Sequence, residues 1–207
     1  HGWTYSLDGE LKGTPDFAGV CNFDRSTIGL RPVEVATRET WIFVRGVEGG
    51  LSLEGFLGDD LRNGIQSLSI AGLQWVERRN YVFECNWKVF VDNYLDGGYH
   101  VPHVHQGLHS VLDYSEYAIE NGRHFCLQTS PLTNERAERD TGAVRTGGRA
   151  VYYWIYPNFM INWYEGIMDT NVVLPRGIDR TEVIFDVYFA DTSDVARERN
   201  LASIDVG

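Results

Sequence analysis

The sequence predicts an α+β fold with an antiparallel sheet, and three observations carry that prediction. Short β-rich runs bounded by turn residues fill positions 1 to about 50 and return from Trp75 onward. Asn86 is a good helix N-cap, and Trp87, Phe90, Val91, Tyr94 and Leu95 follow it at helical spacings. Asn121-Gly122 is a two-residue turn between two strand-like runs, which makes that pair an antiparallel hairpin.

In chain order, Ser6 to Glu10 reads as a hairpin-like turn, Arg31 to Ala36 as extended chain, and Thr40 to Val44 as a strand entering the glycine-containing Gly46 to Gly50. Leu51 to Asn63 reads as a short helical connector. Trp75 to Cys85 alternates well enough for a strand feeding the helix at Asn86. Tyr114 to Glu120 and Arg123 to Thr129 read as the strands of the Asn121-Gly122 hairpin. Pro131 to Arg149 is polar, glycine-bearing and rich in both charges, a surface loop with an active-site cover as one reading. Val151 to Tyr164 is dense in aromatic residues: Tyr152, Trp154 and Tyr156 share one strand face, and Phe159, Ile161 and Trp163 form a second alternating set after Pro157. Those rings suit a core, and aromatic faces also suit a quaternary ammonium through cation–π attraction. Thr181 to Ala190 is a further strand, and Asp191 or Thr192 caps a helix through Leu201.

Composition bounds the function. Eighteen basic against 29 acidic side chains give a net charge of −11, which argues against nucleic acid or anionic lipid as partner and is compatible with a cationic substrate. No apolar run is long enough to span a bilayer, and no signal-peptide pattern is present. Three scattered cysteines make no disulfide framework, so a reducing compartment, the cytoplasm, is expected.

The chemistry-bearing stretch is Asn86 to His109. Four of the six histidines, His100, His103, His105 and His109, lie in its last ten residues, with Asp92 and Asp96 one helical turn apart just upstream. Gly97-Gly98 loosens the backbone there, so helix geometry does not fix where the histidines point. His100 and His105 converge only if the backbone is over-wound, bulged or broken, which Gly97, Gly98 and Pro102 permit. Imidazole suits iron, zinc or copper, and two imidazoles with one carboxylate form a facial triad that leaves positions open for oxygen chemistry. Spacing alone leaves metal binding and ordinary surface or hydrogen-bonded histidines both open. A zinc hydrolase would want H-E-x-x-H, and the His105/His109 pair has Gln106 where that glutamate belongs.

The run Cys85 to Phe90, then Asp92 to Asp96, Tyr99-His100-Val101-Pro102 and His105, resembles the mononuclear iron segment of Rieske-type oxygenase large subunits, closest to the choline monooxygenase branch. His1-Gly2-Trp3 resembles the end of the Rieske cluster motif, in which two cysteines hold one iron and two histidines the other. Tyr156-Pro157-Asn158-Phe159-Met160-Ile161-Asn162, Met168 to Asn171 and Val173-Leu174-Pro175 add to the likeness.

The resemblance implies the C-terminal part of an all-β Rieske domain over residues 1–50, then part of a helix-grip (START-like) catalytic domain over 51–207, a fragment cut at both ends. It makes His100 and His105 the ligands of a mononuclear Fe(II) and His1 a ligand of the [2Fe–2S] cluster; His103 and His109 match no family ligand. The third iron ligand, a carboxylate, is expected beyond Gly207; Asp205 comes too early and Asp186 sits in a strand. Many members have an acid three residues before the first iron histidine, joining it to a cluster histidine of a neighbouring subunit, but Gly97 stands there. Asp96 is the expected bridge and Asp92 the second choice, and Asn93 lies beside them among the site residues. The implied reaction uses O2 and electrons from NAD(P)H, passed through a ferredoxin or flavin reductase, to hydroxylate a small molecule in a homotrimer. Choline or another N-methyl ammonium compound is the preferred substrate and an arene the alternative. A metal-free helix-grip ligand-binding module is the rival from another class.

Overall fold

A computed structural model describes residues 2–47, 49–97, 99, 103, 112–132 and 147–204. The chain divides into two compact units, His1–Gly55 and Phe56–Gly207.

In the first unit β1 (Thr4–Tyr5) pairs antiparallel with β2 (Leu11–Gly13), and β3 (Glu34–Arg38) with β4 (Trp41–Arg45). The turn read at Ser6 to Glu10 is closed by Ser6 N–H to Glu10 O, 2.9 Å, and Gly9 N–H to Ser6 O, 3.0 Å. Trp3, Phe17 and Phe23 form an aromatic cluster with centroids 4.5 to 5.9 Å apart. The expected boundary at Gly49-Gly50 falls just before this unit's last residues.

The second unit is built on a seven-stranded antiparallel sheet in the order β5-β11-β10-β9-β8-β7-β6. Its strands are β5 (Gln74–Phe83), β6 (Ala118–Asn121), β7 (Phe125–Pro131), β8 (Arg149–Ile155), β9 (Phe159–Tyr164), β10 (Ile167–Pro175) and β11 (Thr181–Phe189). From β6 to β11 the chain meanders up and down, each strand pairing with the next, and β5 closes against β11. An antiparallel sheet flanked by helices is the expected α+β class.

Among the described residues, three α-helices flank these strands in sequence: α1 (Leu53–Gln66), α2 (Trp87–Leu95) and α3 (Asp194–Ile204). Within the second unit, α1 buries Leu57, Leu61 and Ile65, with Gly58 at φ 71° breaking the helix after the first of them and Leu61 and Ile65 one turn apart beyond the break. A Cβ on Gly64 would meet the Tyr153 hydroxyl at 2.1 Å, so the helix rides closely over that face of β8. The opposite face takes the other helices. Val91 of α2 shares a cluster with Met160, Val173 and Val183, while Leu201 and Ile204 of α3 pack against Tyr152, Tyr164, Val187 and Phe189. Met160, Val173 and Val183 are wholly enclosed, each worth about 1.5–3 kcal/mol of hydrophobic stabilisation.

Two expectations need correction. Tyr114–Glu116 is a 3-10 turn, because the Asp113 carboxylate accepts from Ser115 N–H and holds the chain out of the sheet until Ala118. The C-terminal helix starts at Asp194, later than a cap at Asp191 or Thr192 would place it, because Asp191 spends its carboxylate on Ser193 N–H, and it runs on to Ile204. Tyr156 follows the last residue of β8, Ile155, with its ring centroid 5.9 Å from that of Trp154, and stands 53% exposed. Most of the loop read between Pro131 and Arg149 lies outside the described residues, as does Asp205; β7 runs through Pro131 and β8 starts at Arg149.

Candidate metal centre

Helix α2 forms as its sequence dictates. Asn86 Oδ1 accepts from Lys88 N–H at 3.1 Å, the N-cap bond, while its Nδ2 donates to Ile178 O at 2.8 Å. Thr181 Oγ1 donates to Cys85 O at 2.8 Å, so the residues around Cys85 and Asn86 are tied to the turn and start of β11. The stripe of Trp87, Phe90, Val91, Tyr94 and Leu95 faces the sheet, against Met160, Val173, Val183, Trp154 and Phe185.

The far end of α2 is held by polar side chains. The last carbonyls of a helix have no partner within it. Here Gln128 Nε2 donates to Tyr94 O at 2.9 Å and Tyr114 Oη donates to Gly97 O at 3.1 Å. Gln128 is 1% exposed, and its own Oε1 accepts from Tyr117 Oη at 2.8 Å. Tyr94 Oη points into the sheet and donates to Asn162 Oδ1 at 2.9 Å, with the Tyr153 and Ile161 carbonyls at 3.3 Å. Asn162 in turn donates to Asp169 Oδ2 at 2.7 Å, the cross-strand partner of Asn162 in register, and Asn171 donates to the same oxygen at 2.9 Å. Burial pushes the Tyr94 hydroxyl well above the ordinary phenol range, with the Asp169 charge adding to it, and burial pushes up Tyr117 as well. Both phenols therefore stay protonated donors at neutral pH.

At the exit itself Asp96 takes the C-cap and Gly97 follows at φ 74°, the left-handed turn-off that glycine takes without strain. A Cβ at Gly97 would sit 2.8 Å from Ile119 Cδ1. Asp92, Asn93 and Asp96 are exposed. Tyr99 is 72% exposed, with its ring centroid 5.7 Å from that of His103. His1, His100, His105 and His109 lie outside the described residues, and among the described residues no group of three His, Cys, Asp or Glu side chains is placed to hold a metal ion. Asp186, the in-chain acid passed over as an iron ligand, is bound instead to Trp75 Nε1 at 2.9 Å and to both ends of the Arg78 guanidinium.

Sequence reading missed Gln128, Asn162, Asp169 and Asn171 as part of this frame. The available signal was polar residues at sheet positions whose strand neighbours are apolar, above all Asp169 and Asn171 in β10. The dense aromatic stretch is mostly core: Tyr152, Tyr153 and Tyr164 are buried, and the hydroxyls of Tyr152 and Tyr164 meet at 2.6 Å.

Comparison with known proteins converges on one family. Residues 70–204 match the family described as ring hydroxylating alpha subunit (catalytic domain). Choline monooxygenase of Arabidopsis thaliana, a chloroplastic protein, is 41% identical over 93% of this chain and 47% of its own length. A solved quaternary ammonium Rieske monooxygenase superposes with a TM-score of 0.80 at 21% identity, covering 99% of this chain and 55% of its own. Naphthalene 1,2-dioxygenase from Rhodococcus sp. gives a TM-score of 0.71 at 24% identity over 98% and 56% of the two chains. The chain thus spans about half the length of the relatives it matches. No helix among the described residues is long and apolar enough to cross a membrane.

Proposed function

Because this chain belongs to the ring hydroxylating alpha subunit family, we propose that it is part of a Rieske oxygenase that hydroxylates a small quaternary or N-methyl ammonium compound, with choline the preferred substrate. The observation that carries the substrate class is 41% identity to a choline monooxygenase along 93% of the chain, where the dioxygenase likeness is one of fold at 24%.

In this reading His100 and His105 hold the mononuclear iron and His1 one iron of the [2Fe–2S] cluster. The donor types fit, since neutral imidazoles suit Fe(II). When bound, the iron would activate O2 with electrons delivered through the cluster from a ferredoxin or flavin reductase. The chain's own residues do the rest. Helix α2 carries the Asn86 to Asp96 segment, its apolar stripe keeps water from the sheet side, and Asp96, at the helix C-cap, is the residue proposed to bridge to a cluster histidine of a neighbouring subunit. Asp92 and Asn93, exposed on the preceding turn, are the alternative polar contacts. That bridge implies a homotrimer. The net charge of −11 favours a cationic substrate over an anionic one, and the three free cysteines fit a reducing compartment such as the cytoplasm.

The test is a substrate panel on the full-length protein with a reductase, scoring hydroxylated product against uncoupled peroxide. Product from choline or its N-methyl analogues is expected. Turnover of arenes alone would replace the substrate assignment with ring hydroxylation.

A further inference from the structure

We infer that Tyr94, Gln128 and Tyr114 form a three-point clamp that sets the direction in which the chain leaves α2 toward His100, and so act as positioning residues for the iron; this rests on the function proposed above. The three contacts fall on one short piece of chain. Tyr94 Oη is anchored in β9, Tyr94 O is taken by Gln128 of β7, and Gly97 O is taken by Tyr114. A helix end that only had to be satisfied could leave those carbonyls to water. Here a glutamine that is 1% exposed serves one of them and the Tyr114 hydroxyl the other.

The clamp also has a fixed polarity. Asp169 Oδ2 accepts from both Asn162 and Asn171, so the amide of Asn162 must turn its NH2 toward the carboxylate and its oxygen toward Tyr94. Tyr94 is then the donor and its hydroxyl is held at one place. Gln128 is fixed in the same way: Tyr117 Oη donates to Oε1, leaving Nε2 to face Tyr94 O. No other amide orientation satisfies both sets. Gly97, closed in by Ile119, completes the exit. Partners beyond the ligands that fix a ligand's orientation typically change metal affinity by about 10–100-fold when removed; the clamp acts through the backbone, so the lower end applies.

The experiment uses the full-length protein and Tyr94→Phe, Tyr114→Phe and Gln128→Met, with Asp186→Asn as the control. Asp186 lies between Phe185 and Val187 in β11 and points to the other face, where losing its ion pair costs stability without touching α2. Anaerobic competition with a chelator gives the Fe(II) Kd, the EPR spectrum of the iron–nitric oxide adduct reports ligand geometry, and a thermal melt reports stability. The clamp variants are expected to weaken Fe(II) binding about tenfold and to alter the EPR line shape, while Asp186→Asn moves only the melt. An unchanged Kd and spectrum in all three clamp variants overturns the inference, as does an equal loss in Asp186→Asn. Tyr114→Phe removes one hydroxyl from a half-buried ring and keeps the test alive if Gln128→Met fails to fold. Wild-type protein without a mononuclear iron signal would refute the proposed function itself, and the clamp with it.

Discussion

Replacing Asp186 by asparagine should destabilise the second unit at neutral pH and have almost no effect in acid. The carboxylate is 8% exposed and accepts three hydrogen bonds, from Trp75 Nε1 at 2.9 Å and from Arg78 Nε and Nη2 at 3.0 and 2.7 Å. Burial alone would raise its pKa, but the Arg78 and Trp75 hydrogen bonds and the Arg78 charge outweigh it and hold the group below the usual carboxylate value. Charge-assisted hydrogen bonds each contribute about 1.5–3 kcal/mol in general. The Arg78 side chain is 57% exposed, however, so solvent screens the pair and rehydrates the guanidinium once the charge is gone, while asparagine still accepts from the indole. The expected net cost is about 1–2 kcal/mol. The sign with pH follows from the depressed pKa: the contribution is fully present above the unfolded value of about 3.9 and is lost as pH falls through the lower folded value. Urea unfolding of wild type and variant, from neutral pH down to acid where the gap no longer changes with pH, measures it. A gap of about 1–2 kcal/mol that closes in acid is the expected result; a gap that persists or widens there would refute the argument.

Three further outcomes follow from the frame around α2. Met160→Ala opens a cavity under Val91 where nothing is exposed and should cost about 2–5 kcal/mol, read from denaturant melts. Gly97→Ala forces a Cβ onto a residue at φ 74° and against Ile119, and should cost about 1–2 kcal/mol in backbone strain alone, with weaker iron retention than a surface Gly→Ala at Gly72, where nothing stands within 4 Å. Asp96→Asn should leave iron content and melting near wild type but stop electron transfer from the cluster, seen in stopped-flow as a cluster that is reduced and is not reoxidised by O2 with substrate; normal reoxidation would pass the bridging role to Asp92.

How much of this was legible in the sequence depends on how far apart the partners lie. Helix α2 was readable because its cap, its stripe and its glycine exit are all within a dozen residues of one another. The motif around His100 and His105 was readable as a family resemblance for the same reason. Strand β10 was not read as a strand, because Asp169, Thr170 and Asn171 interrupt its apolar pattern, and those residues are tolerated inward only through cross-strand partners such as Asn162. The turn at Tyr114–Glu116 was read as strand because the side-chain cap from Asp113 outcompetes the β preference of the tyrosine. The clamp was invisible in sequence, since its contacts join residues 17, 34 and 68 positions apart and depend on sheet register. The helix-capping glutamine looked like any residue of an alternating strand until its neighbours were in place.

The central claim is that His100 and His105 hold a mononuclear iron. The most direct test is metal analysis with EPR of the iron–nitric oxide adduct on the full-length protein and on His100→Ala and His105→Ala. The account predicts a mononuclear iron signal in wild type that disappears from both variants while the cluster signal stays. A signal that survives either substitution, or zinc in place of iron in the wild type, would contradict it.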